Sequence, residues 1–369
     1  MENVYMIAAG GTGGHFYPGF ALGKKLIERG HDVVFIVKKD SDSVRILREA
    51  DIPYHEIDFT GMPRGKNIKK WIEFFDKLFG SIIEVRQYIK SYKPLACIGM
   101  GGYISFPLVF TAHFMGVKTA VHDSNAKIGL ANRVCAKFAD VFLLGMPTVD
   151  KIKKSILVGT PIREEFRQQE SVEEQNYWKI ETDFAINTLI VGGSQGAKYL
   201  NYSAAKMVMA ITKKTERMHF FHITGRRDYE EIKAFYGDTP NVEVMPYADD
   251  IYALMKAAQI IISRSGASSL AEIISLKKPS ILVPFPYAAE DHQYYNAKVL
   301  ADRNCAIVVR ETPRLQEDIT EAVKALVAHP ENLKKMIADF DNARLPDPLD
   351  ASDYAANILE KLVQNQKIF

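Results

Sequence analysis

Two glycine-rich loops constrain this chain more than any other feature, because each stands between a short apolar run and a helix-like pattern. The first lies in VYMIAAGGTGGHFYPGFALGKKL (4–26) and the second in INTLIVGGSQGAKYLNYSAAKMV (186–208), and Gly192 follows Gly10 by 192 − 10 = 182 positions. Glycine permits a sharp turn from a buried strand into a helix and leaves room for a ligand. Amides exposed at a helix start attract anions. The duplication therefore predicts two halves built around phosphate-bearing ligands.

Neither loop matches the best-known phosphate-binding fingerprints. Phe16 stands where the pattern G-x-G-x-x-G, started at Gly11 and Gly13, needs glycine, and no G-x-x-x-x-G-K-[ST] occurs. This disfavours a dehydrogenase and a P-loop ATPase. Either loop taken alone could be only a tight turn between strand and helix. Two loops in the same register weaken that interpretation.

Strand-like apolar runs alternate with longer helical patterns along the chain, which is the rhythm of parallel βαβ units. We predict six strands in each half: 4–9, 33–37, 96–99, 119–122, 141–144 and 156–158, then 188–191, 219–223, 242–245, 260–263, 281–283 and 306–309. The Gly and Pro of VGTPIREEF (158–166) indicate a hinge near Pro161. The prediction is an α/β protein with domains 1–162 and 163–345 and a C-terminal segment, 346–369, whose helix (352–362) could return to pack on the N-terminal domain.

Composition excludes several classes of protein. The 369 residues, 47% of them hydrophobic, can bury two cores of ordinary size. A net charge of +2, from 47 Lys plus Arg against 45 Asp plus Glu, argues against nucleic acid as the main partner. Cys97, Cys135 and Cys305 form no C-x-x-C motif, and their odd number is untypical of a disulfide framework, so a reducing cytoplasm is expected. No signal peptide or spanning segment is visible, so we expect any membrane contact to be peripheral.

A third helix start follows the strand that ends at Ser263. Small residues at 265–268 permit close approach of a ligand to the backbone, and Glu272 falls about two turns into the helix. A carboxylate there could accept hydrogen bonds from a ribose, or it could be an ordinary surface Glu. Asp249 and Asp250 are better interpreted as the cap of the following helix than as a metal-binding D-x-D motif.

Five motifs appear in a specific order: GGTGGH (10–15), GMGGY (99–103), GGSQGA (192–197), RSGASSLAE (264–272) and EDHQYYNA (290–297). With this ordered set the chain resembles the bacterial N-acetylglucosaminyltransferases that convert lipid I to lipid II. The resemblance spans about Val4 to Val309. It implies the GT-B fold, in which two Rossmann-like domains with parallel sheets face each other across a cleft. It also implies UDP-GlcNAc and an undecaprenyl-pyrophosphate-linked acceptor as substrates, and a location at the cytoplasmic face of the bacterial cell membrane.

The resemblance assigns roles to individual residues. In the second domain it implies that Ser194, Gln195 and Gly196 hold the UDP diphosphate and that Glu272 binds the ribose. Tyr247 and Ala248 would contact the uracil, and Gln293 would bind sugar hydroxyls. Donor contacts are also implied for Gly266, Ala267, Ser268, Ser269 and Leu270, and for Thr12, Gly13, Gly14, Asn125 and Arg163. The acceptor-facing residues would be Gly14, His15, Tyr103 and Asn125.

The implied reaction is an inverting transfer in which the acceptor 4-hydroxyl attacks the anomeric carbon and UDP departs. Oriented amides and a helix N-terminus can stabilise the charge on the leaving diphosphate, so no metal cofactor is expected, although a divalent cation could stimulate the rate. His15 is the first candidate for the general base, because a histidine can accept a proton near neutral pH. A positioning role for His15 is equally open, and His122 is a weaker candidate that could simply orient a loop.

Several residues depart from the pattern of the family. The family's common H-E-Q-N is HDSN here (122–125), its G-N-P-[VI]-R is GTPIR (159–163), and some relatives have Gln where His292 stands. These changes put individual contacts in doubt rather than the reaction, and they leave open a glycosyltransferase acting on another glycolipid. Two further alternatives are a UDP-GlcNAc epimerase of the same fold and a UDP-sugar-binding protein without turnover. The epimerase would need a cluster of acid and base carboxylates that the sequence does not display.

The segment KNIKKWIEFFDKLFGSIIEVRQYIK (66–90) could mark contact with lipid. Apolar residues recur there at helical spacing beside basic ones, and such a surface can rest on an anionic membrane. The alternative is a stripe buried against the sheet, which is the commoner use of an amphipathic helix. The apolar residues are Ile68, Trp71, Ile72, Phe75, Leu78, Phe79 and Ile82, and the basic ones are Lys66, Lys69, Lys70 and Lys77.

Overall fold

The computed structural model describes residues 3–10, 13–59, 61–63, 65–166, 186–192, 196–215 and 217–368. Contacts divide the chain into two compact units: Met1–Arg163 together with Pro346–Phe369, and Glu164–Leu345. The division follows Arg163, so this residue groups with the first unit and not with the domain that the sequence predicted to begin there. The C-terminal segment groups with the first unit as well.

The first unit contains a seven-stranded parallel sheet of order β3-β2-β1-β4-β5-β6-β7. Its strands are β1 (Val4–Ala8), β2 (Asp32–Lys38), β3 (Tyr54–Ile57), β4 (Ala96–Gly99), β5 (Lys118–Asp123), β6 (Val141–Leu144) and β7 (Ser155–Leu157). Its helices are α1 (Gly13–Glu28), α2 (Asp42–Glu49), α3 (Ile68–Tyr92), α4 (Ser105–Phe114), α5 (Leu130–Cys135) and, at the C-terminus, α13 (Ala351–Val363).

The second unit has a six-stranded parallel sheet of order β10-β9-β8-β11-β12-β13. Its strands are β8 (Ile186–Val191), β9 (Met218–Ile223), β10 (Val242–Met245), β11 (Ile260–Ser263), β12 (Ser280–Leu282) and β13 (Ala306–Val308). Its helices are α6 (Lys198–Thr212), α7 (Tyr229–Tyr236), α8 (Ile251–Ala257), α9 (Ala267–Ser275), α10 (His292–Ala301), α11 (Leu315–Ala328) and α12 (Pro330–Asn342), with short 3-10 turns at Glu164–Phe166 and Ala289–Asp291.

The prediction of two α/β units with parallel sheets is confirmed. The prediction of six strands in the first half was wrong by one, because it omitted β3. This strand has only four residues, YHEI, lies at the edge of the sheet and buries only Ile57 fully. A short edge strand that carries His and Glu lacks the apolar run by which the other strands were recognised.

Glycines let α1 lie close on the first sheet. A Cβ atom added at Gly23 would lie 2.8 Å from Cζ of Phe35, and one at Gly19 would lie 2.8 Å from the Cβ of Ala9. The face of the sheet under α1 is a continuous apolar core in which Ile7, Phe35 and Ile98 are fully buried. A side chain at either glycine would push the helix off this core, and with it the loop that enters the helix.

The C-terminal helix α13 completes the same core. Ala355, Ala356 and Leu359 are fully buried and belong to the apolar cluster beneath α1. Beside them, the Arg29 guanidinium donates to Asn357 Oδ1 at 2.8 Å and to carboxylates of Asp353 and Glu360, both at 3.0 Å. The last helix is therefore joined to the first unit by burial of apolar surface and by a network of polar contacts.

Replacing Leu359 by Ala should destabilise the first unit by about 2–5 kcal/mol, because a fully buried leucine leaves both lost apolar contact and a cavity. Urea-induced unfolding followed by circular dichroism measures the change. Lys361→Ala is the matched control, since Lys361 is an exposed residue of the same helix. Equal stability of the two variants would contradict the docking of α13.

Candidate functional site

In each unit the glycine loop stands where the strand order reverses, between β1 and β4 in the first sheet and between β8 and β11 in the second. Open parallel sheets bind ligands in the crevice outside the carboxyl ends of the strands at this switch point. The loops after β1, β4 and β5, and those after β8 and β11, therefore form the candidate sites of the two units. Thr12, Ser194 and Gln195 lie outside the described residues.

In the first unit, the imidazole of His15 lies on the backbone of the loop after β4. A Cβ atom added at Gly101 would stand 2.5 Å from His15 Nδ1, and one at Gly102 would stand 3.4 Å from His15 Cδ2. Gly101 and Gly102 also have φ values of +107° and +73°, which favour glycine. The two glycines of GMGGY thus make the space that His15 occupies, in the first turn of α1.

Next to them, the ring of Tyr103 is 40% exposed and covers Gly61, where an added Cβ would lie 2.8 Å from Tyr103 Cε2. Gly13 and Gly14 begin α1 itself, so their amides belong to the orphan donors of a helix N-terminus. This edge of the first unit hence combines a histidine, an exposed phenol and helix-start amides.

A buried carboxylate organises the loop after β5. Asp123 is 2% exposed, and its Oδ1 accepts hydrogen bonds from the backbone amide (2.9 Å) and side-chain amide (3.0 Å) of Asn125. Its Oδ2 accepts from Gly129 N at 3.2 Å and from Asn132 Nδ2 at 2.9 Å. Asp123, the residue of HDSN that replaces the Glu of the family pattern, thereby sets the position of Asn125.

His122 supports the neighbouring segment 159–163. It is fully buried, and its Nε2 lies 3.0 Å from the carbonyl oxygen of Gly159, which can only accept. Nε2 must therefore carry the proton. Burial lowers the pKa of His122, so the ring is neutral and ties β5 to the residues that lead to Arg163. The Arg163 guanidinium lies 5.7 Å from the centroid of the Tyr17 ring, within the first unit.

In the second unit, Gly196 ends the glycine loop over a buried polar chain. Gly196 has φ +73°, and a Cβ there would stand 2.7 Å from the carbonyl oxygen of Thr224. Asn201, fully buried on α6, donates to that same oxygen at 2.8 Å and to Asp228 Oδ2 at 2.9 Å. Its own amide oxygen lies 3.2 Å from Nε2 of His222, whose Nδ1 lies 2.9 Å from the Tyr236 hydroxyl.

The donors and acceptors in this series of hydrogen bonds, which runs from Thr224 through Asn201 and His222 to Tyr236, can be assigned from the Thr224 carbonyl, which can only accept. Because the Asn201 amide nitrogen donates to Thr224, its oxygen accepts from His222 Nε2, and His222 Nδ1 accepts from Tyr236. The imidazole is thus neutral, and burial lowers its pKa to about 3. The sequence analysis missed this series of buried hydrogen bonds. The signals were a His within the apolar strand MHFFHI and the Asn that ends GGSQGAKYLN.

The loop after β11 is anchored by an ion pair. The Arg264 guanidinium, 8% exposed as a residue, pairs with Glu311 and donates to the carbonyl oxygen of Val283 at 3.2 Å. Gly266 follows as the N-cap of α9, and Ala267, Ser268, Ser269 and Leu270 form the first turn. Ser268 Oγ is buried and has no hydrogen-bond partner among the described residues. Glu272 is half-buried one turn further along α9.

Gln293 lies in the first turn of α10, and Tyr247 lies in the loop after β10. The side-chain oxygen of Gln293 accepts from the amide of Phe285 at 3.0 Å, which directs the bonding capacity of its NH₂ group elsewhere. Tyr247 is 52% exposed, and the Arg226 guanidinium lies 5.9 Å from its ring centroid. Ala248 follows it, half-buried. Asp250 caps α8 by accepting from Ala253 N at 2.9 Å, so its interpretation as a helix cap is confirmed.

Within the part of the chain that the structure describes, no three His, Cys, Asp or Glu side chains come close enough together to hold a metal ion. The described helices include none with the length and apolarity needed to cross a bilayer. Cys97, Cys135 and Cys305 are buried free thiols.

Comparisons with known proteins agree on the family. Residues 5–143 match the glycosyltransferase family 28 N-terminal domain and residues 187–349 match its C-terminal domain. The chain is 43% identical to the UDP-N-acetylglucosamine–N-acetylmuramyl-(pentapeptide) pyrophosphoryl-undecaprenol N-acetylglucosamine transferase of Elusimicrobium minutum, over 97% of this chain and 99% of that protein. The crystal structure of Acinetobacter baumannii MurG superposes with a TM-score of 0.78 at 26% identity, covering 97% of this chain and 99% of that one.

The GT-B fold predicted from the motifs is thereby confirmed. A UDP-GlcNAc 2-epimerase from Neisseria meningitidis also superposes, with a TM-score of 0.63 and 13% identity over 98% of this chain and all of that one. At such low identity the likeness concerns the fold alone. Fold therefore does not separate a transferase from an epimerase, whereas the sequence relationship does.

Acid should destabilise the second unit through His222. The unfolded chain holds this imidazole at a pKa near 6.5 and the folded state lowers it to about 3. The neutral His222 therefore costs no stability above pH 6.5. As the pH falls from 6.5 toward 3, the free energy of unfolding decreases by up to roughly 1.4 kcal/mol per pH unit.

We expect His222→Gln to have a lower free energy of unfolding at pH 7 and a flatter dependence of that energy on pH between 6.5 and 4, measured by urea titration. His329→Gln is the control, because that side chain is 62% exposed. An unchanged pH slope in His222→Gln would contradict the neutral buried imidazole.

Proposed function

Since this chain belongs to the family of UDP-N-acetylglucosamine–N-acetylmuramyl-(pentapeptide) pyrophosphoryl-undecaprenol N-acetylglucosamine transferases, we propose how its residues divide the work of that reaction. The chain transfers N-acetylglucosamine from UDP-GlcNAc to lipid I and forms lipid II and UDP. The observation that carries this conclusion is identity of 43% along nearly the full length of both proteins.

We propose that the second unit binds the donor. The diphosphate would lie at the glycine loop of Ser194, Gln195 and Gly196 and at the first turn of α9, from Gly266 to Leu270, where helix-start amides attract negative charge. The buried hydrogen bonds beneath Gly196 support this assignment, because Asn201 fixes the Thr224 carbonyl against which Gly196, the last residue of the loop, lies. Glu272 would bind the ribose, Tyr247 and Ala248 the uracil, and Gln293 the sugar hydroxyls through its NH₂ group.

The first unit would receive the acceptor at Gly14, His15, Tyr103 and Asn125. Donor contacts are also proposed for Thr12, Gly13, Gly14, Asn125 and Arg163. Support comes from the chemistry of this edge, where glycines make room for the His15 imidazole and the Tyr103 ring and where Asp123 holds the Asn125 amide. These are groups that bind hydroxyl and diphosphate oxygens.

The reaction is a direct inverting displacement. The acceptor 4-hydroxyl loses its proton as its oxygen forms a bond to the anomeric carbon, while the bond from that carbon to UDP breaks and the electron pair leaves with the diphosphate. Amide donors aimed at the developing charge of such a group typically contribute about 2.7 to 4 kcal/mol each. We propose that these donors act without an obligatory metal ion, and that a divalent cation at most raises the rate.

His15 is the proposed general base. A histidine is suited to take the hydroxyl proton near neutral pH, and this one stands at the helix start of the acceptor edge. Bonding to the acceptor diphosphate is the alternative role for the same side chain. The structure of His122 favours a supporting role for that residue, because its Nε2 is committed to Gly159 and burial keeps it neutral.

We propose that α3 attaches the enzyme to the cytoplasmic face of the cell membrane. The helix separates its apolar residues into two faces. Phe74, Leu78 and Val85 pack on the core, whereas a second row at spacings of three and four remains exposed. The exposed row consists of Ile68, Ile72, Phe75, Phe79 and Ile83, at 75%, 64%, 47%, 62% and 59% exposure, with Lys66, Lys69 and Lys70 exposed at its beginning. Such a surface suits an anionic bilayer.

The transfer itself is tested with labelled UDP-GlcNAc and a short-chain lipid I analogue, beside a diacylglycerol acceptor and a reaction without acceptor. Product is expected with lipid I alone and in the presence of a chelator. Product with diacylglycerol alone would move the protein to another glycolipid, and isomerised UDP-sugar without acceptor would indicate an epimerase.

His15→Ala should lower turnover at least tenfold while UDP binding stays within about twofold, because a general base contributes roughly 10²–10⁴-fold to rate and none to the nucleotide. Single-turnover kinetics and calorimetric binding of UDP measure the two quantities. A near-normal rate would remove His15 from catalysis.

Membrane attachment is tested by flotation with vesicles that contain anionic lipid. The double substitution Phe75→Ser, Phe79→Ser should lower the bound fraction severalfold, since each removes a large apolar side chain from the exposed row of α3. The matched control is Tyr354→Ser on α13, which removes another exposed aromatic residue at 47% exposure. Equal flotation of the folded double variant and wild type would refute the role of α3.

A further inference from the structure

The turn before α10 has a backbone that side chains rarely adopt. Glu290 and Asp291 are consecutive and have φ values of +53° and +55°. A residue with a side chain costs free energy in this left-handed region, and two in succession persist only where surrounding contacts hold them. The turn leads directly to His292 and Gln293 in the first turn of α10. The contacts that hold this turn therefore govern how Gln293 is presented.

Hydrogen bonds inside the turn, from Asp291 N to Ala288 O and between His292 Nδ1 and Ala289 O, both at 2.9 Å, hold it locally, and Arg310, just beyond β13, joins it to the sheet. The Arg310 guanidinium makes a two-pronged contact with Asp291: Nη1 lies 3.1 Å from Oδ1, and Nη2 lies 3.0 Å from Oδ2. The same guanidinium stands 3.5 Å from the centroid of the Tyr294 ring on the first turn of α10. One rigid, planar group thus contacts both Asp291, two residues before Gln293, and Tyr294, the residue directly after it.

The strand end that carries Arg310 is itself anchored. The next residue, Glu311, pairs with the buried Arg264 that follows β11. Gln293 is in turn joined to the same region, since its backbone oxygen accepts from Ser265 Oγ at 2.8 Å and its side-chain oxygen accepts from Phe285 N at 3.0 Å. The hydrogen bond to its oxygen fixes which way the amide is turned, so the two donors of the Gln293 NH₂ group point toward a ligand in a direction that the turn helps to determine.

We propose that Arg310 is a positioning residue for specificity: by clamping Asp291 and Tyr294 it fixes the direction of the Gln293 NH₂ group and so lets the enzyme discriminate between nucleotide sugars that differ in one sugar hydroxyl. This inference rests on the proposed role of Gln293. Arg310 itself touches no reacting atom. An exposed ion pair contributes little to stability, so the clamp affects recognition more than folding.

The test is a double-mutant cycle of Arg310→Gln, Asp291→Asn and both together. Asn is chosen because it tolerates positive φ as Asp does. The readout is the ratio of kcat/KM for UDP-GlcNAc to kcat/KM for UDP-GalNAc, its epimer at the C4 hydroxyl. Lys298→Gln is the control, since Lys298 forms an exposed ion pair with Asp302 on the same helix.

Each single variant should lower the ratio by about three- to fivefold, and the double variant should match the singles, because either change already breaks the clamp. UDP affinity and the melting temperature should stay at the values of wild type, as should the ratio for Lys298→Gln. An unchanged ratio in both singles would overturn the proposal, as would an equal loss of affinity for UDP.

Failure of the proposed reaction is visible separately, as the absence of transfer by the wild type. In that case competitive binding of UDP-GlcNAc and UDP-GalNAc gives the ratio of their affinities, and this ratio replaces the ratio of kcat/KM values for the same variants. Gln293→Ala in this assay separates the two ideas: if it keeps the wild-type ratio, Gln293 does not read the sugar and the inference about Arg310 falls with it.

Discussion

Parallel pairing of β1 with β4 and of β8 with β11 is the constraint on which both candidate sites depend. In each sheet the two paired strands are followed by connections that run to opposite sides of the sheet. The loops at the carboxyl ends of these strands therefore diverge, and no helix that the structure describes crosses over the space between them. A pair of loops there can expose backbone amides without burying them unpaired. The two units repeat this solution, so one chain presents two places that suit phosphate-bearing ligands.

Glycine makes the loops possible, but buried polar side chains hold them in place. Asp123 accepts four hydrogen bonds beneath the loop after β5, and Asn201 satisfies both a carbonyl and a carboxylate under Gly196. Such groups are costly to bury unless every partner is supplied, which makes these arrangements all-or-none. The positions of Asn125 and of Gly196 therefore depend on side chains that no ligand needs to touch.

The helix α3 illustrates the limit of reading burial from spacing. Its apolar residues repeat at intervals of three and four over a wide arc, and the sequence interpretation grouped Leu78 with Phe75 and Phe79. Leu78 and Phe74 face the core while Phe75 and Phe79 do not. Helical periodicity identifies which residues share a face of the helix. It does not identify which of two adjacent apolar faces packs against the sheet, because that depends on the position and shape of the sheet.

Residue order was sufficient for the fold class, the ordered motifs, the family and the cap at Asp250. Those features are local, since strand and helix periods, turn glycines and a capping carboxylate act over a few residues. Packing between distant segments determined the rest. The contact of His15 with Gly101, the chain from Asn201 to Tyr236 and the grip of Arg310 on Asp291 join residues far apart in sequence, and β3 forms only because β2 offers it an edge. Hydrogen bonds and buried surface between such segments form only when the sheets have assembled, so no local sequence pattern could predict them.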